Sequence, residues 1–277
     1  MTTTPSITLN NGVQIPQVGF GVFQIPPDQT RTAVADAIEV GYRHIDTAML
    51  YKNERAVGEA IRSSGLAAGE IFVTTKCWNT DQGYDAAMRA FDRSAAELGL
   101  EQIDLYLIHW PVPARDEYVD TWRALEQLYA DGRVRAVGVS NFQVSHLQRL
   151  MDETQIVPAV NQIELHPWLP QDELRAFHIV NGIATEAWSP IARGGDLLRN
   201  TTLRGLADKH GRTVAQIVLR WHIELGNVVL PRTVRHARAI ENLALFDFEL
   251  DDSDMQNIAY LASGRRIGPD PDTFGSE

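Results

Sequence analysis

Eight short apolar runs, each followed by an amphipathic helical pattern, constrain the fold of this chain more than any other feature. The runs lie at residues 18–21, 42–45, 71–75, 103–108, 134–139, 159–163, 183–186 and 228–230. They are too short for buried helices and are bounded by turn residues, which marks core strands. Between them a period near 3.6 predicts helices at 28–40, 53–64, 85–98, 117–131, 144–152 and 171–181. Two helical pairs follow, at 203–210 with 213–225 and at 235–243 with 251–261. Several of these helices stop on glycine, among them Gly41, Gly99 and Gly211, the residue that most readily takes the left-handed C-terminal position. Unbroken strand–helix alternation means a parallel sheet. At 277 residues, 44% hydrophobic and without a second compositional regime, the chain fits one closed (β/α)8 barrel spanning residues 1–277. Ahead of the barrel, Asn10-Asn11-Gly12 between apolar residues predicts a hairpin that plugs one end of the sheet. Residues 262–277, rich in Gly, Pro, Asp and Arg, read as a C-terminal loop.

The bulk numbers exclude several function classes. A net charge of -11 argues against nucleic acid or an anionic membrane surface as the main partner. The one cysteine, Cys77, permits neither an internal disulfide nor a cysteine zinc site. No histidine pair has helical metal spacing, so no metal is expected. No apolar run approaches the length of a membrane span, and the first thirty residues lack a signal-like apolar stretch. A cytoplasmic protein is expected. No exposed apolar stripe is evident, so a monomer is expected too.

In a barrel of this kind the residues that end the strands face the active site. Reading off those ends gives Asp46, Lys76 and His109 after the second, third and fourth strands. Three consecutive strands ending on ionisable groups is costly unless the groups partner each other. Tyr51, five residues beyond Asp46, can fold its hydroxyl back over the barrel mouth. A tyrosine near its ordinary pKa of about 10 is a poor acid at neutrality, but a lysine cation beside it favours the tyrosinate. Asp46 would hold that lysine in place, and His109 would orient a carbonyl or share the proton. The set suits protonation of a carbonyl oxygen as charge develops on it. A Schiff base on Lys76 is the competing chemistry, and Asp46 as a mere helix cap is the bland one.

The second half reads as a ligand site. Ser140 and Asn141 end the fifth strand, Gln162 lies in the sixth, and Trp188 follows the seventh. Amides and hydroxyls suit a planar amide, and an indole suits a flat ring. After the eighth strand, Arg232, Thr233, Arg235 and Arg238 crowd the start of a helix, where barrels commonly hold phosphate. No G-x-G-x-x-G follows any strand, so a dinucleotide would not be held in the Rossmann manner.

Several long motifs carry a family resemblance. GYRHIDTAMLYKNERAVG at residues 41–58, TTKCW at 74–78, LIHWP at 107–111, GVSNF at 138–142 and NQIELHP at 161–167 occur in order. With them the chain resembles the aldo-keto reductases over nearly its whole length. That resemblance implies a (β/α)8 barrel reducing aldehydes and ketones with NADPH. It implies Tyr51 as proton donor, supported by Asp46 and Lys76, with His109 orienting the carbonyl. Ser140, Asn141 and Gln162 would hold the nicotinamide carboxamide and Trp188 would stack on its ring, beside Val22 and Asp46. Ser189, Pro190 and Ile191 would follow the pyrophosphate. Arg232, Thr233, Val234 and Arg238 would meet the 2′-phosphate, and Glu241 and Asn242 the adenine. Phe23, Trp78 and Trp110, with Tyr51 and His109, would line the substrate end.

Three departures from the family pattern stand out. Arg232 replaces the usual lysine, Ser-Pro-Ile-Ala replaces Ser-Pro-Leu-Gly so that Ala192 stands for glycine, and Trp188 replaces the commoner tyrosine. Trp188 and the short loops are similar to the bacterial diketogluconate-reductase branch, whose open pockets imply small dicarbonyls, aldehydes and keto-sugars as substrates. A non-catalytic NADPH-binding subunit of the same fold remains as a second class.

Overall fold

The computed structural model describes residues 4–275. A small antiparallel hairpin comes first, β1 (Ser6–Thr8) with β2 (Gln14–Pro16), in register at Ile7 and Ile15. Eight parallel strands then follow in sequence order: β3 (Phe20–Gly21), β4 (His44–Asp46), β5 (Phe72–Cys77), β6 (Ile103–Ile108), β7 (Val134–Ser140), β8 (Val160–Glu164), β9 (Ala184–Trp188) and β10 (Val228–Leu230). Sequential order with parallel pairing is the barrel the alternation predicted. Closure is made by the segment around β3 against β10. Val229 N–H donates to the Gln17 carbonyl at 3.0 Å, Gly19 N–H to that of Val229 at 2.8 Å, and Gly21 N–H to that of Pro231 at 3.3 Å.

Among the described residues ten helices pack outside the barrel. The first seven are α1 (Pro27–Val40), α2 (Glu54–Ser63), α3 (Tyr84–Leu98), α4 (Tyr118–Ala130), α5 (Val144–Glu153), α6 (Asp172–Asn181) and α7 (Thr201–His210). The others are α8 (Val214–Glu224), α9 (His236–Leu243) and α10 (Asp252–Ala259). Each expected helix is present, its ends shifted by two residues at most where caps rather than periodicity decide. The expected second strand, residues 42–45, starts two residues further along, and Asp46 is its last residue. No helix among the described residues is long and apolar enough to cross a membrane.

Two apolar clusters hold the architecture. The larger fills the space between helices and barrel, with Trp122, Phe91 and Phe142 fully enclosed. The smaller lies inside the barrel at its lower end, where Leu9 and Ile15 of the hairpin segment meet Phe72, Leu105, Leu107, Ala136, Val160 and Val228. Strand residues alternate inward and outward, and the inward series changes character along each strand. Phe72 gives way to Thr74 and Lys76, Leu105 and Leu107 to His109, and Val160 to Gln162 and Glu164. The plugged end is therefore dry and the C-terminal end polar. One contact depends on a missing side chain: a Cβ on Gly138 would lie 2.6 Å from the Val160 carbonyl and 2.8 Å from Leu107.

Candidate active site

The loop after β4 is built to place Tyr51. A turn of 3-10 helix, Met49–Tyr51, ends on Lys52 in the left-handed conformation (φ 57°), and α2 begins two residues later. Asn53 fixes that turn. Its amide donates to the carbonyls of Val22 at 3.1 Å and Ile25 at 3.3 Å, while its oxygen accepts from Thr47 Oγ1 at 2.8 Å. Glu54, also buried, accepts from Thr75 Oγ1 at 2.6 Å. The two polar residues at the start of α2 thus brace the turn against β3 and β5. Asp46 caps nothing.

Asp46 faces inward instead. Its Oδ2 accepts from Lys76 Nζ at 2.6 Å and from Gln162 Nε2 at 2.8 Å. Lys76 is fully enclosed and also donates to the Thr47 carbonyl at 2.9 Å. Its Nζ lies 5.3 Å from the centroid of the Tyr51 ring. The other ring neighbours of Tyr51 are Phe23 at 5.0 Å and His109 at 5.7 Å, and Trp78 stands 5.0 Å from His109.

The electrostatics differ from the sequence expectation in one respect. Lys76 was expected to lower the Tyr51 pKa, yet the phenol is held well above its ordinary value, by burial first and then by the Asp46 and Glu186 charges. Asp46 absorbs the lysine charge at bonding distance, so little of it reaches the phenol. Tyr51 therefore keeps its proton against any weak base and yields it only to a strong one, such as a nascent alkoxide. His109 is pushed well below the ordinary imidazole value, by burial and then by Lys76. It is a neutral ring in the neutral range, and its Nδ1 is buried without a partner. It can donate one hydrogen bond but is no cationic acid.

These residues open on a cavity of about 450 Å3. Phe23, Asp46, Tyr51, Trp78, His109, Trp110, Ser140, Asn141, Gln162, Trp188, Ser189, Pro190, Ile191, Arg232 and Arg238 all line it. The remaining residues expected to touch a cofactor lie outside that lining. Val22 is buried, its N–H bonded to the Asp46 carbonyl at 3.0 Å. Asn242 is buried in α9, Glu241 accepts from Thr213 Oγ1 at 2.7 Å, and Val234 is exposed. Thr233 Oγ1 accepts from Arg235 N–H at 3.0 Å, closing the turn that leads into α9.

The amide cluster is pre-set. Asn141, in a left-handed conformation (φ 63°), donates to the His109 carbonyl and to Ser140 Oγ, both at 3.0 Å, and accepts from Trp188 Nε1 at 2.8 Å. One asparagine thereby ties β6, β7 and the indole of β9 together. Ser189, Ala192 and Arg193 also have positive φ (48°, 48° and 57°). Ala192 occupies a conformation that suits glycine, which locates the physical consequence of that departure from the family pattern: a backbone turn carrying about 1 kcal/mol of strain.

Three further residues adjoin the site without a role read from the sequence. Glu186, inward on β9, accepts from Gln162 Nε2 at 2.7 Å. A charged residue inside an apolar strand was the signal, and it matches the one that singled out Asp46. Glu164 ends β8 and clasps the C-terminal loop: its Oε1 accepts from Ile267 N–H at 2.6 Å and its Oε2 from Gly268 N–H at 2.9 Å. Burial alone would raise this carboxyl, but bonds from His166 and those two amides hold it below its ordinary value. The clasp lets Phe274 reach the cavity, 4.5 Å from Trp110 and 6.5 Å from Trp78. No local pattern announces such a long-range contact. Residues 276 and 277 lie outside the described chain. Cys77 takes no part, since burial pushes its thiol up to about 12.

Known proteins resemble this chain over nearly its whole length. The model of the Aldo/keto reductase family matches residues 17–262. An aldo-keto reductase of Mycolicibacterium smegmatis is 55% identical over 271 residues, covering 98% of each chain. The glyoxal reductase of Bacillus subtilis is 50% identical over 268 residues, covering 96% of each. Among solved structures, a variant of Gox0644 in complex with NADPH superposes with a TM-score of 0.93 at 46% identity, covering 98% of this chain and 99% of that one.

Proposed function

The chain belongs to the aldo/keto reductase family, and on that premise we propose that it reduces aldehydes, ketones and small α-dicarbonyls to alcohols with NADPH, Tyr51 giving the proton. The observation that carries this reading is the convergence of Tyr51, His109 and Asp46, the last backed by the enclosed Lys76 at 2.6 Å, on the cavity that Trp188 and the Ser140–Asn141–Gln162 cluster also meet. The relatives add the substrate class: one is named a glyoxal reductase, and a structural neighbour holds NADPH.

The residues present fit the cofactor. Gln162 commits both amide hydrogens to carboxylates, leaving its Oε1 to accept from a carboxamide. The indole of Trp188, fixed by Asn141, offers a flat face for a planar ring. Arg232 and Arg238, both exposed at the cavity rim, supply cations for a 2′-phosphate. Ser189, Pro190 and Ile191 line the same cavity and would follow the pyrophosphate. When bound, NADPH supplies a hydride to the carbonyl carbon. His109 donates a hydrogen bond to the carbonyl oxygen and orients it. Tyr51 holds its proton until that oxygen becomes basic, then transfers it, and the product leaves as the alcohol. Phe23, Trp78, Trp110 and Phe274 exclude water from the substrate end. Catalysis by a single, monomeric, cytoplasmic chain belongs to the same proposal.

The Schiff-base alternative loses support on geometry. A nucleophilic lysine must be neutral and reachable, whereas Lys76 is enclosed and ion-paired with Asp46 at 2.6 Å. Following NADPH consumption across a panel of glyoxal, methylglyoxal, simple aldehydes and ketones tests the reading. Turnover of the dicarbonyls is expected, and absence of turnover with every carbonyl would refute it. Replacing Arg232 by Gly and Arg238 by His is expected to weaken NADPH binding by about 10-fold or more while leaving NADH nearly unchanged. Equal loss for both cofactors, measured by fluorescence titration, would remove the 2′-phosphate assignment.

A further inference from the structure

Beneath the Tyr51–Lys76 pair the barrel encloses a second carboxylate that the reaction just described does not use. Glu186 is wholly buried on β9, one inward position below Trp188, and does not line the cavity. Its Oε2 accepts from Gln162 Nε2 at 2.7 Å, and the other hydrogen of that amide goes to Asp46 at 2.8 Å. Its Oε1 is buried with no hydrogen-bond partner, 3.7 Å from His44 Nε2. The groups facing it are Asp46 and His44 from β4, Lys76 from β5 and Gln162 from β8, with Tyr51 above. His44 is no cation, because burial lowers it to about 3. One lysine therefore stands against two enclosed carboxylates, and it is already bonded to Asp46. A second unpaired anion in that enclosed space is strongly disfavoured, and a proton removes the charge.

We propose that Glu186 is a proton-holding positioning residue: with a proton on Oε1 it leaves the Asp46–Lys76 pair neutral beneath the reacting carbonyl, and losing that proton switches reduction off on the alkaline side. The inference rests on the reductase reading above. Burial first, then the Asp46 charge, pushes the Glu186 carboxyl up to about 8, against the lowering bonds and charge of Gln162 and Lys76. Once ionised, it places a full negative charge under the oxygen that must itself become negative in the transition state. It also makes the Tyr51 proton harder to remove, since its charge is among those raising the phenol. Both effects oppose turnover, and neither requires Glu186 to touch substrate. Tyr51 ionises well above this range, so its own titration would set a separate and higher limit.

The test is Glu186→Gln, which has the shape of the protonated acid, in the full chain. Near neutrality its kcat/KM with glyoxal is expected to stay within about threefold of the parent. The parent's alkaline decline, by contrast, is expected to shift upward by about one pH unit or more in the variant. An activity-independent readout accompanies it. An acid raised from 4.5 to about 8 binds more protons folded than unfolded across that window, so its contribution to stability falls as pH rises through it. The thermal midpoint of the parent should therefore drop relative to Glu186→Gln over that window and run parallel above it. The parent alone offers a check should the variant fold poorly: an infrared carboxyl C=O band persisting at neutral pH and lost on the alkaline side. Parallel melting curves, or the absence of that band, would overturn the buried proton. Divergent melting curves with superimposable alkaline limbs would overturn the positioning role. Absence of carbonyl reduction by the parent would strike the functional reading instead, because melting and infrared report the proton directly.

Discussion

Tyr51→Phe is expected to bind NADPH with unchanged affinity and to lose about 10²- to 10⁴-fold in kcat, the span that general acid catalysis supplies. The substitution removes one oxygen and leaves the ring packed between Phe23 and His109, at 5.0 and 5.7 Å. The backbone turn is held by Asn53 rather than by the phenol, so the fold is expected to be undisturbed. His109 cannot take over as a cationic acid near neutrality, because burial and Lys76 keep it neutral. A loss confined to KM would point to a binding role. Steady-state kinetics with glyoxal, beside fluorescence titration of the cofactor, separate the two.

The second large effect concerns stability. Lys76→Met leaves Asp46 buried without its cation, and breaking one half of a buried pair costs about 3–5 kcal/mol. Asp46 keeps only the bond from Gln162, at 2.8 Å. Adding Asp46→Asn removes the orphaned charge, so the double variant is expected to regain most of that loss while staying inactive. Denaturant unfolding of the two single variants and the double variant measures the coupling. Additive losses, with the double variant the least stable of the three, would mean that the two residues act independently.

Much of this was legible in the chain because barrels translate sequence period into position. Short apolar runs alternating with amphipathic helices determine a parallel closed sheet, and the sheet places Asp46, Lys76 and His109 at one end. The same rule reaches Glu186, the charged residue that closes the apolar run 183–186, although β9 runs on to Trp188 and leaves Glu186 one inward position below the strand end. The direction of the Tyr51 shift was not legible. It depends on whether Lys76 sits nearer to the phenol or to Asp46, and the 2.6 Å bond answers that only in three dimensions. Nor was the reach of the C-terminal loop, since the Glu164 clasp joins residues 103 and 104 positions apart. The arginines at the start of α9 were visible as a cluster, yet only Arg232 and Arg238 among the expected phosphate contacts line the cavity. Val22, Thr233, Val234, Glu241 and Asn242 stand outside it, fixed by backbone or side-chain contacts of their own or exposed elsewhere.

The central claim is that Tyr51 delivers the proton in the chemical step. Its most direct measurement is a single turnover: enzyme saturated with stoichiometric NADPH, mixed with excess glyoxal, and the loss of reduced cofactor followed in time. The parent chain is expected to oxidise the cofactor fully in one rapid phase, and Tyr51→Phe to bind it and leave it reduced over the same interval. Equal rates in the two would contradict the account.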